Sequence, residues 1–148
     1  MPATESPVLF DILTTASAHR FGRATLNAPA NLNALSLEMV DLLQPQLEAW
    51  AQDPQIAGVL LDASGDKAFC AGGDVVGLYQ AIRALPPGEV PPLAQDFFER
   101  EYRLDYQIHR YPKPILAWAH GIVMGGGMGL VTGASHRVGT SKTRMAMP

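Results

Sequence analysis

The chain has little of what disulfide-bonded, basic or membrane-spanning proteins need. It contains one cysteine, Cys70, in 148 residues, so it cannot form an internal disulfide and fits a reducing compartment. Its 11 Lys and Arg against 14 Asp and Glu give a net charge of −3 without any basic run, which does not indicate nucleic acid or an anionic membrane as a partner. The longest apolar runs, 56–61 and 115–119, are far shorter than a membrane span. We therefore expect a soluble protein.

Signals for targeting, metals and nucleotides are also lacking. Residues 1–7 have neither a basic segment followed by an apolar one nor an arginine-rich amphipathic pattern, so we expect a cytoplasmic protein. The glycine-rich segment 125–129 has Leu130 and Thr132 where the dinucleotide motif needs a glycine, and no Gly-Lys-Ser/Thr follows it. We expect no metal, because no close pairing of metal-ligand type occurs among the four histidines, His19, His109, His120 and His136.

What the chain does have is two glycine-rich turns, 69–74 and 125–129, each preceded by an apolar run typical of a buried strand. A carbonyl oxygen that gains negative charge during a reaction needs two backbone N–H donors with no side chain in the way. Glycine and alanine permit that close approach. The two turns therefore predict the halves of an oxyanion hole. The alternative is that the glycines serve only the tight packing of helices on a sheet.

The hydrophobic pattern predicts an α/β fold in one domain, residues 1–148. Strand patterns cover 8–13, 21–27, 56–61, 115–119 and 136–140, and helix patterns follow Ser36 and cover 75–85, 93–110 and 127–134. Gly22 is expected at a turn or bulge between the first two strands, and Pro45 is expected to bend the first helix. The prolines from Leu85 to Pro92 predict a loop. Two similar strand–turn–helix passages favour a winding of ββα units.

Four motifs resemble, in order and spacing, the enoyl-CoA hydratase/isomerase (crotonase) superfamily. They are Asn-Leu-Asn-Ala-Leu at 31–35, Ala-Phe-Cys-Ala-Gly-Gly-Asp at 68–74, Pro-Lys-Pro at 112–114 and His-Gly-Ile-Val-Met-Gly-Gly-Gly at 120–127. Segments 96–112 and 135–148 look most like the 3-hydroxyisobutyryl-CoA hydrolase branch of that superfamily. The resemblance covers nearly the whole chain. It implies a crotonase-like spiral of ββα units that is truncated before its C-terminal part.

The resemblance also implies a site. Its substrate would be an acyl-CoA, with no cofactor besides the coenzyme A of that substrate, and the backbone N–H groups of Ala71 and Gly126 would hold the thioester oxygen. It implies that substrate and CoA contacts come from the same motifs, at Asn33, Ala34, Leu35, Ala68, Gly72, Gly73, Asp74 and Gly125, and Lys67 just before the second motif is a further candidate.

Three of these assignments have simpler alternatives. Residues 28–31 carry no charge that could bind the CoA phosphates, so Lys67 is a candidate for that role. An exposed lysine, however, is more often only solvated. Asp74 could orient the pocket or cap the helix that follows. Cys70 could be a nucleophile with His120 as its base, or a small buried thiol.

The family's two reaction types differ at Gly129, where the resemblance puts a catalytic glutamate in the hydratases and a glycine in the hydrolase branch. The hydrolases have their remaining carboxylate directly after a Met-Pro pair, and here Met147-Pro148 ends the chain. We therefore expect a CoA-thioester hydrolase of valine catabolism whose catalytic glutamate would follow Pro148, so that the 148 residues alone are inactive. The alternatives are a hydratase or isomerase for another acyl-CoA and an inactive acyl-CoA-binding fragment. Trimers or hexamers are implied for the full-length protein.

Overall fold

The computed structural model describes residues 5–148, which contain eight strands and four α-helices. Residues 1–4, which belong to the segment 1–7 that was searched for a targeting signal, lie outside the described residues. The strands are β1 Val8–Thr14, β2 Arg20–Leu26, β3 Ile56–Ala63, β4 Ala68–Cys70, β5 Ile115–Ala119, β6 Ile122–Met124, β7 His136–Gly139 and β8 Arg144–Ala146. The helices are α1 Leu37–Gln52, α2 Val75–Arg83, α3 Pro92–His109 and α4 Gly126–Gly133. Within residues 5–148, none of the helices combines the length and apolarity needed to cross a bilayer.

The strands form two sheets, one of five strands in the order β1-β2-β3-β5-β7 and one of three in the order β4-β6-β8. Only β1 and β2 pair antiparallel, and the other neighbours run parallel. From β3 onward, successive strands alternate between the two sheets, so each strand pair gives one strand to each. This arrangement confirms the predicted α/β fold wound from ββα units.

Helix α1 covers the first hairpin with Trp50, whose ring meets that of Phe10 edge to face at 5.8 Å. Gly22 lies inside β2. Glycine is needed there because a Cβ would come within 2.6 Å of the Trp50 ring. The turn of the hairpin is formed instead at residues 15–19, where the Thr15 N–H donates to the His19 carbonyl at 2.8 Å. The turn predicted at Gly22 is therefore wrong, and the irregularity in the pairing of β2 with β3 lies just before it, between Arg20 and Phe21.

The three-stranded sheet was not predicted from the sequence. Its members are three residues long, too short to show the alternation that marks a strand. The segment from Leu85 to Pro91 contains no helix or strand, as the prolines predicted. Pro45 lies inside α1, which runs without interruption, and the bend expected there remains a prediction.

Helix α3 packs against both α1 and α4. Arg100 of α3 donates to both carboxylate oxygens of Asp41 on α1 at 2.9 Å. This contact helps to fix the rotation of α3 about its axis. The neighbouring residue Glu101, about 100° further round the helix, is buried together with Phe97 and Leu104.

Candidate functional site

The two glycine-rich turns meet in the structure. Strands β4 and β6 are parallel neighbours, so the turns that follow them leave the same edge of the sheet. A Cβ on Gly125 would lie 3.5 Å from the Cα of Gly72, and a Cβ on Gly126 would lie 3.4 Å from the nitrogen of Gly73. Gly72 and Gly125 have φ angles of 134° and 52°, which side chains rarely allow. Glycine is thus needed for the close contact between the two turns and for the backbone conformation of each turn.

Two backbone N–H groups at this contact are free. Gly126 opens α4, and the first N–H groups of a helix have no acceptor within the helix. The Gly73 N–H has no acceptor among residues 5–148. Two unpaired donors therefore lie on adjacent turns, where a single ligand oxygen could accept from both.

The Ala71 amide is not available to a ligand, because it donates to the Leu32 carbonyl at 3.1 Å. The segment that runs beside the turn also bonds to Gly72 and Asp74, since Leu35 donates to the Gly72 carbonyl at 2.7 Å and accepts from Asp74 at 2.8 Å. These bonds use the Gly72 carbonyl and the Asp74 N–H, and they leave the N–H groups of Gly72 and Gly73 without an acceptor among residues 5–148. Of these two, the Gly73 nitrogen is the one that lies against Gly126. Of the predicted donor pair, Gly126 has an unpaired N–H group and Ala71 does not, and the unpaired amide that lies next to Gly126 is that of Gly73.

Glu101 is the site residue that sequence analysis missed. Its side chain is only 6% exposed, and its Oε1 lies 2.6 Å from the position of a Cβ on Gly126. Among residues 5–148 it has no hydrogen-bond or ion-pair partner, and burial raises its pKa above the ordinary value. The available signal was the position of a glutamate between Phe97 and Leu104, inside the apolar stripe of α3.

Asp105 lies one helical turn beyond Glu101 and faces Gly129. A Cβ on Gly129 would come within 2.7 Å and 2.9 Å of the two carboxylate oxygens. Its Oδ1 is buried and has no hydrogen-bond partner among the described residues. Burial first, and then the charge of Glu101, raise the pKa of Asp105 to about 6.

Cys70 behaves as a buried thiol. Burial raises its pKa to about 11, and its Sγ donates to the Gly72 carbonyl at 3.5 Å. His120, the base of the alternative reading, has its Nε2 2.9 Å from the Gly65 carbonyl. A neutral thiol is a poor nucleophile, so the geometry favours the packing role.

The predicted contacts from residues 33–35 support the chain rather than face a ligand. Asn33 is 1% exposed, and its side chain bonds only to backbone: it accepts from Ala28 N–H at 2.8 Å and donates to the carbonyls of Ser64 and Ala68 at 2.9 Å each. Leu35 is fully buried in the core, and Ala34 is half-buried. We therefore assign Asn33 a structural role in place of the predicted binding role.

The remaining predicted residues divide between helix capping and exposed clefts. Asp74 caps α2, since its Oδ1 accepts from the Val76 N–H at 3.4 Å. Lys67 is exposed and lines two clefts, of about 280 Å³ and about 700 Å³. Ala68 lines the smaller cleft, and the larger one is also lined by Lys142 and Arg144.

With this geometry established, comparison with known proteins identifies the family. The family model described as Enoyl-CoA hydratase/isomerase matches residues 21–148. The chain belongs to the enoyl-CoA hydratase/isomerase family.

Among curated members of the family, the chain is similar to mitochondrial 3-hydroxyisobutyryl-CoA hydrolases. It is 46% identical to the Gallus gallus protein over 127 residues, which cover 86% of this chain and 32% of that protein. It is 43% identical to the Danio rerio protein over 143 residues, which cover 97% of this chain and 35% of that protein. The chain thus spans about a third of the length of the curated relatives it matches. Because those relatives are named as mitochondrial, the cytoplasmic location predicted here is not confirmed.

Solved structures of this enoyl-CoA hydratase/isomerase family share the fold. An enoyl-CoA hydratase from Rhodobacter sphaeroides 2.4.1 is 40% identical with a TM-score of 0.85, covering 97% of this chain and 40% of that one. A carnitinyl-CoA dehydratase from Mycobacterium thermoresistibile is 40% identical with a TM-score of 0.86, covering 97% of this chain and 39% of that one. The crotonase-like fold predicted from the motifs is confirmed, with the chain as a portion of it.

Proposed function

We propose that this chain is the acyl-binding portion of a CoA-thioester hydrolase that acts on a 3-hydroxyacyl-CoA. The observation that carries the proposal is the pair of free N–H groups, at Gly73 and Gly126, beside the buried and unpartnered carboxyl group of Glu101. This arrangement offers two donors to an acyl oxygen and one acceptor to a neighbouring group of the same ligand.

The two amides suit the charge that develops in thioester hydrolysis. A water oxygen bonds to the carbonyl carbon, the water proton passes to a base, and the carbonyl oxygen becomes negative before the carbon–sulfur bond breaks. The leaving thiolate of CoA then takes up a proton. Donors fixed in place before the reaction lower the energy of that negative oxygen, and loss of one typically slows such reactions about 100- to 1000-fold.

Glu101 supplies the preference for a hydroxylated acyl group. A buried carboxylate without a donor is costly, and a hydroxyl group that donates to it relieves that cost. The curated relatives are named as hydrolases of 3-hydroxyisobutyryl-CoA, whose acyl group carries such a hydroxyl. We infer that the substrate hydroxyl donates to Glu101 while the thioester oxygen accepts from the amides.

Two parts of the proposal concern groups away from the acyl pocket. The base that activates water would come from a segment following residue 148, as the resemblance implies, so the 148 residues should bind substrate without turning it over. The CoA phosphates would lie at the exposed cleft of about 700 Å³, where Lys67, Lys142 and Arg144 bring positive charge.

Equilibrium binding of two ligands tests the proposal. Isothermal titration calorimetry would compare 3-hydroxyisobutyryl-CoA with isobutyryl-CoA, which differ only in the hydroxyl. A charge-assisted hydrogen bond of roughly 1.5–3 kcal/mol gives a preference of at least about tenfold for the hydroxylated ligand. Glu101→Gln should reduce that preference. Equal affinity of the wild-type chain for both ligands would overturn the assignment of Glu101.

A pair of glycine substitutions tests the amides. A methyl group at Gly126 would meet Glu101 Oε1 and approach the Gly73 nitrogen, so Gly126→Ala should weaken binding of both thioesters at least tenfold, while Gly126→Val should abolish binding. Gly77→Ala is the matched control, because Gly77 is exposed on α2 with nothing within 4 Å of an added Cβ. Similar affinities for Gly126→Ala and Gly77→Ala would exclude the amide pair from the site.

A hydratase or isomerase is the second candidate, because the two similar solved structures are named as an enoyl-CoA hydratase and a carnitinyl-CoA dehydratase. Addition of water across a double bond commonly uses two carboxylates, and Glu101 and Asp105 lie one turn apart here. Assaying crotonyl-CoA separates the candidates. Hydration by the 148 residues would consume its conjugated absorbance without releasing free CoA thiol, whereas the hydrolase proposal predicts no turnover by these residues.

A further inference from the structure

The carboxyl group of Asp105 has no role in the function proposed above, yet it lies in the same buried layer. Helix α3 presents Glu101 and Asp105 on one face, and α4 presents the glycines that leave room for them, Gly126 and Gly129. Side chains four residues apart on a helix are neighbours. The two carboxyl groups therefore form a pair that extends from the free amides into the contact between the helices.

Among residues 5–148, no positively charged side chain forms an ion pair with Glu101 or Asp105. Helix α4 has no ionisable residue between Gly126 and Gly133, and the thiol of Cys70, which faces Glu101 from β4, is neutral. The nearby arginines of α3 are engaged elsewhere, Arg100 by Asp41 and Asp96 and Arg103 by Glu99. The acidic residues of α1 supply no positive charge either, since Asp41 is paired with Arg100 and the other two are Glu38 and Glu48. Two like charges must therefore share a buried space.

Under these conditions the two groups ionise in sequence. Glu101 is placed to ionise first, because it lies beside the free amides, whereas Oδ1 of Asp105 is buried without a hydrogen-bond partner among the described residues. Burial, and then the charge of Glu101, raise the pKa of Asp105 to about 6. Below that pH the pair carries one negative charge, on Glu101 beside the amides. Above it a second charge appears on Asp105.

We propose that Asp105 is a positioning residue of the candidate site, which strengthens the hold on an acyl ligand while it is protonated and weakens that hold when it ionises. The inference rests on the proposed function, since it requires an acyl group at Gly73 and Gly126 with its hydroxyl on Glu101. An acyl ligand displaces water from the pair and brings a partly negative carbonyl oxygen, and both effects disfavour a second ionised carboxyl group.

The expected signature is a bell-shaped dependence of affinity on pH. On the acid side, affinity for 3-hydroxyisobutyryl-CoA rises as Glu101 ionises and becomes a hydrogen-bond acceptor. On the alkaline side, affinity falls as pH passes through about 6, where Asp105 loses its proton. A difference of one pKa unit between free and bound protein changes affinity about tenfold, which sets the size of the fall.

Calorimetric titrations between pH 4.5 and 8.5 test this signature in four proteins. Asp105→Asn should remove the alkaline fall while keeping the acid rise, and Glu101→Gln should remove the acid rise. Glu89→Gln, which replaces an exposed acid in the loop before α3 that has no ion-pair partner among the described residues, should keep the wild-type profile. The phosphates of CoA also titrate near pH 6, but they are common to all four titrations. An alkaline fall of the same size in Asp105→Asn as in the wild type would overturn the proposal.

A measurement without ligand separates this inference from the proposed function. Carbon-13 NMR of the side-chain carboxyl groups should show Asp105 titrating near pH 6 in the free chain and at a lower pH in Glu101→Gln, where burial alone still keeps the pKa of Asp105 above its ordinary value. If no acyl-CoA binds at any pH, the proposed function fails, and the NMR titration then decides whether the coupled pair exists. Titration of Asp105 at its ordinary value in the wild type would remove the basis of the inference.

Discussion

Replacing Asn33 by alanine would decide whether this residue supports the fold or binds a ligand. The side chain accepts from Ala28 and donates to the carbonyls of Ser64 and Ala68, all in a site that is 1% exposed. Each such bond contributes about 1 kcal/mol net, so losing three of them should cost about 3 kcal/mol in the free energy of unfolding. Asn33 also has a φ of 52°, a conformation that asparagine adopts more readily than alanine, and this difference adds to the loss.

Urea unfolding followed by circular dichroism would measure the change. Asn31→Ala is the matched control, because Asn31 is exposed and its side chain makes no hydrogen bond with the described residues. For a chain of this length the loss at Asn33 corresponds to a fall of roughly 6–12 °C in Tm. A loss of less than about 1 kcal/mol would refute the structural role, and weakened CoA-thioester binding without a stability change would restore the binding role.

Two further predictions concern the layer beneath the amides. Gly127→Ala should destabilise the chain by about 1–3 kcal/mol, because the new methyl would meet the Cys70 carbonyl and lie 2.8 Å from Cys70 Cβ, whereas Gly77→Ala should stabilise it by up to about 1 kcal/mol. Equal urea midpoints for the two variants would contradict the close packing of α4 on β4. Cys70 should react slowly with a disulfide reagent at pH 8, since with a pKa of about 11 only about one thousandth of the thiol is ionised. Reaction at the rate of the urea-unfolded chain would contradict its burial.

The sequence was sufficient to predict the helices and strands whose apolar residues recur at a regular spacing. The helical spacing of Val40, Leu43, Leu47 and Trp50 predicted α1, and the apolar runs predicted β3 and β5. The three-residue strands β4, β6 and β8 have no period to detect, since their pairing is determined by the longer strands that precede them. The role of Gly22 was mispredicted because the side chain that requires a glycine there, the ring of Trp50, lies on a helix that follows later in the chain.

For the site, the sequence predicted which turns meet but not which amide is free. Choosing between Ala71 and Gly73 requires the hydrogen bonds of Leu32 and Leu35, and these depend on the register of a distant segment. Glu101 was missed because acidic residues on a helix are usually solvated, and its burial depends on the missing side chain at Gly126 of another helix. Asn33 was overinterpreted, since a polar residue in a shared motif can be retained for the backbone it supports.

The alternation of strands between the two sheets has a consequence for how such a pocket is assembled. Strands β4, β6 and β8 lie side by side and run in the same direction, so the residues that follow them emerge in a row along one rim. Gly73 and Gly126 occupy the first two places, and the bond from the Gly125 N–H to the Ala146 carbonyl at 3.4 Å brings the exit of β8 alongside them. The third place begins at Met147. The position of a residue along this rim is therefore determined by the order of the strands in the sheet, and the lengths of the loops between strands have little influence on it.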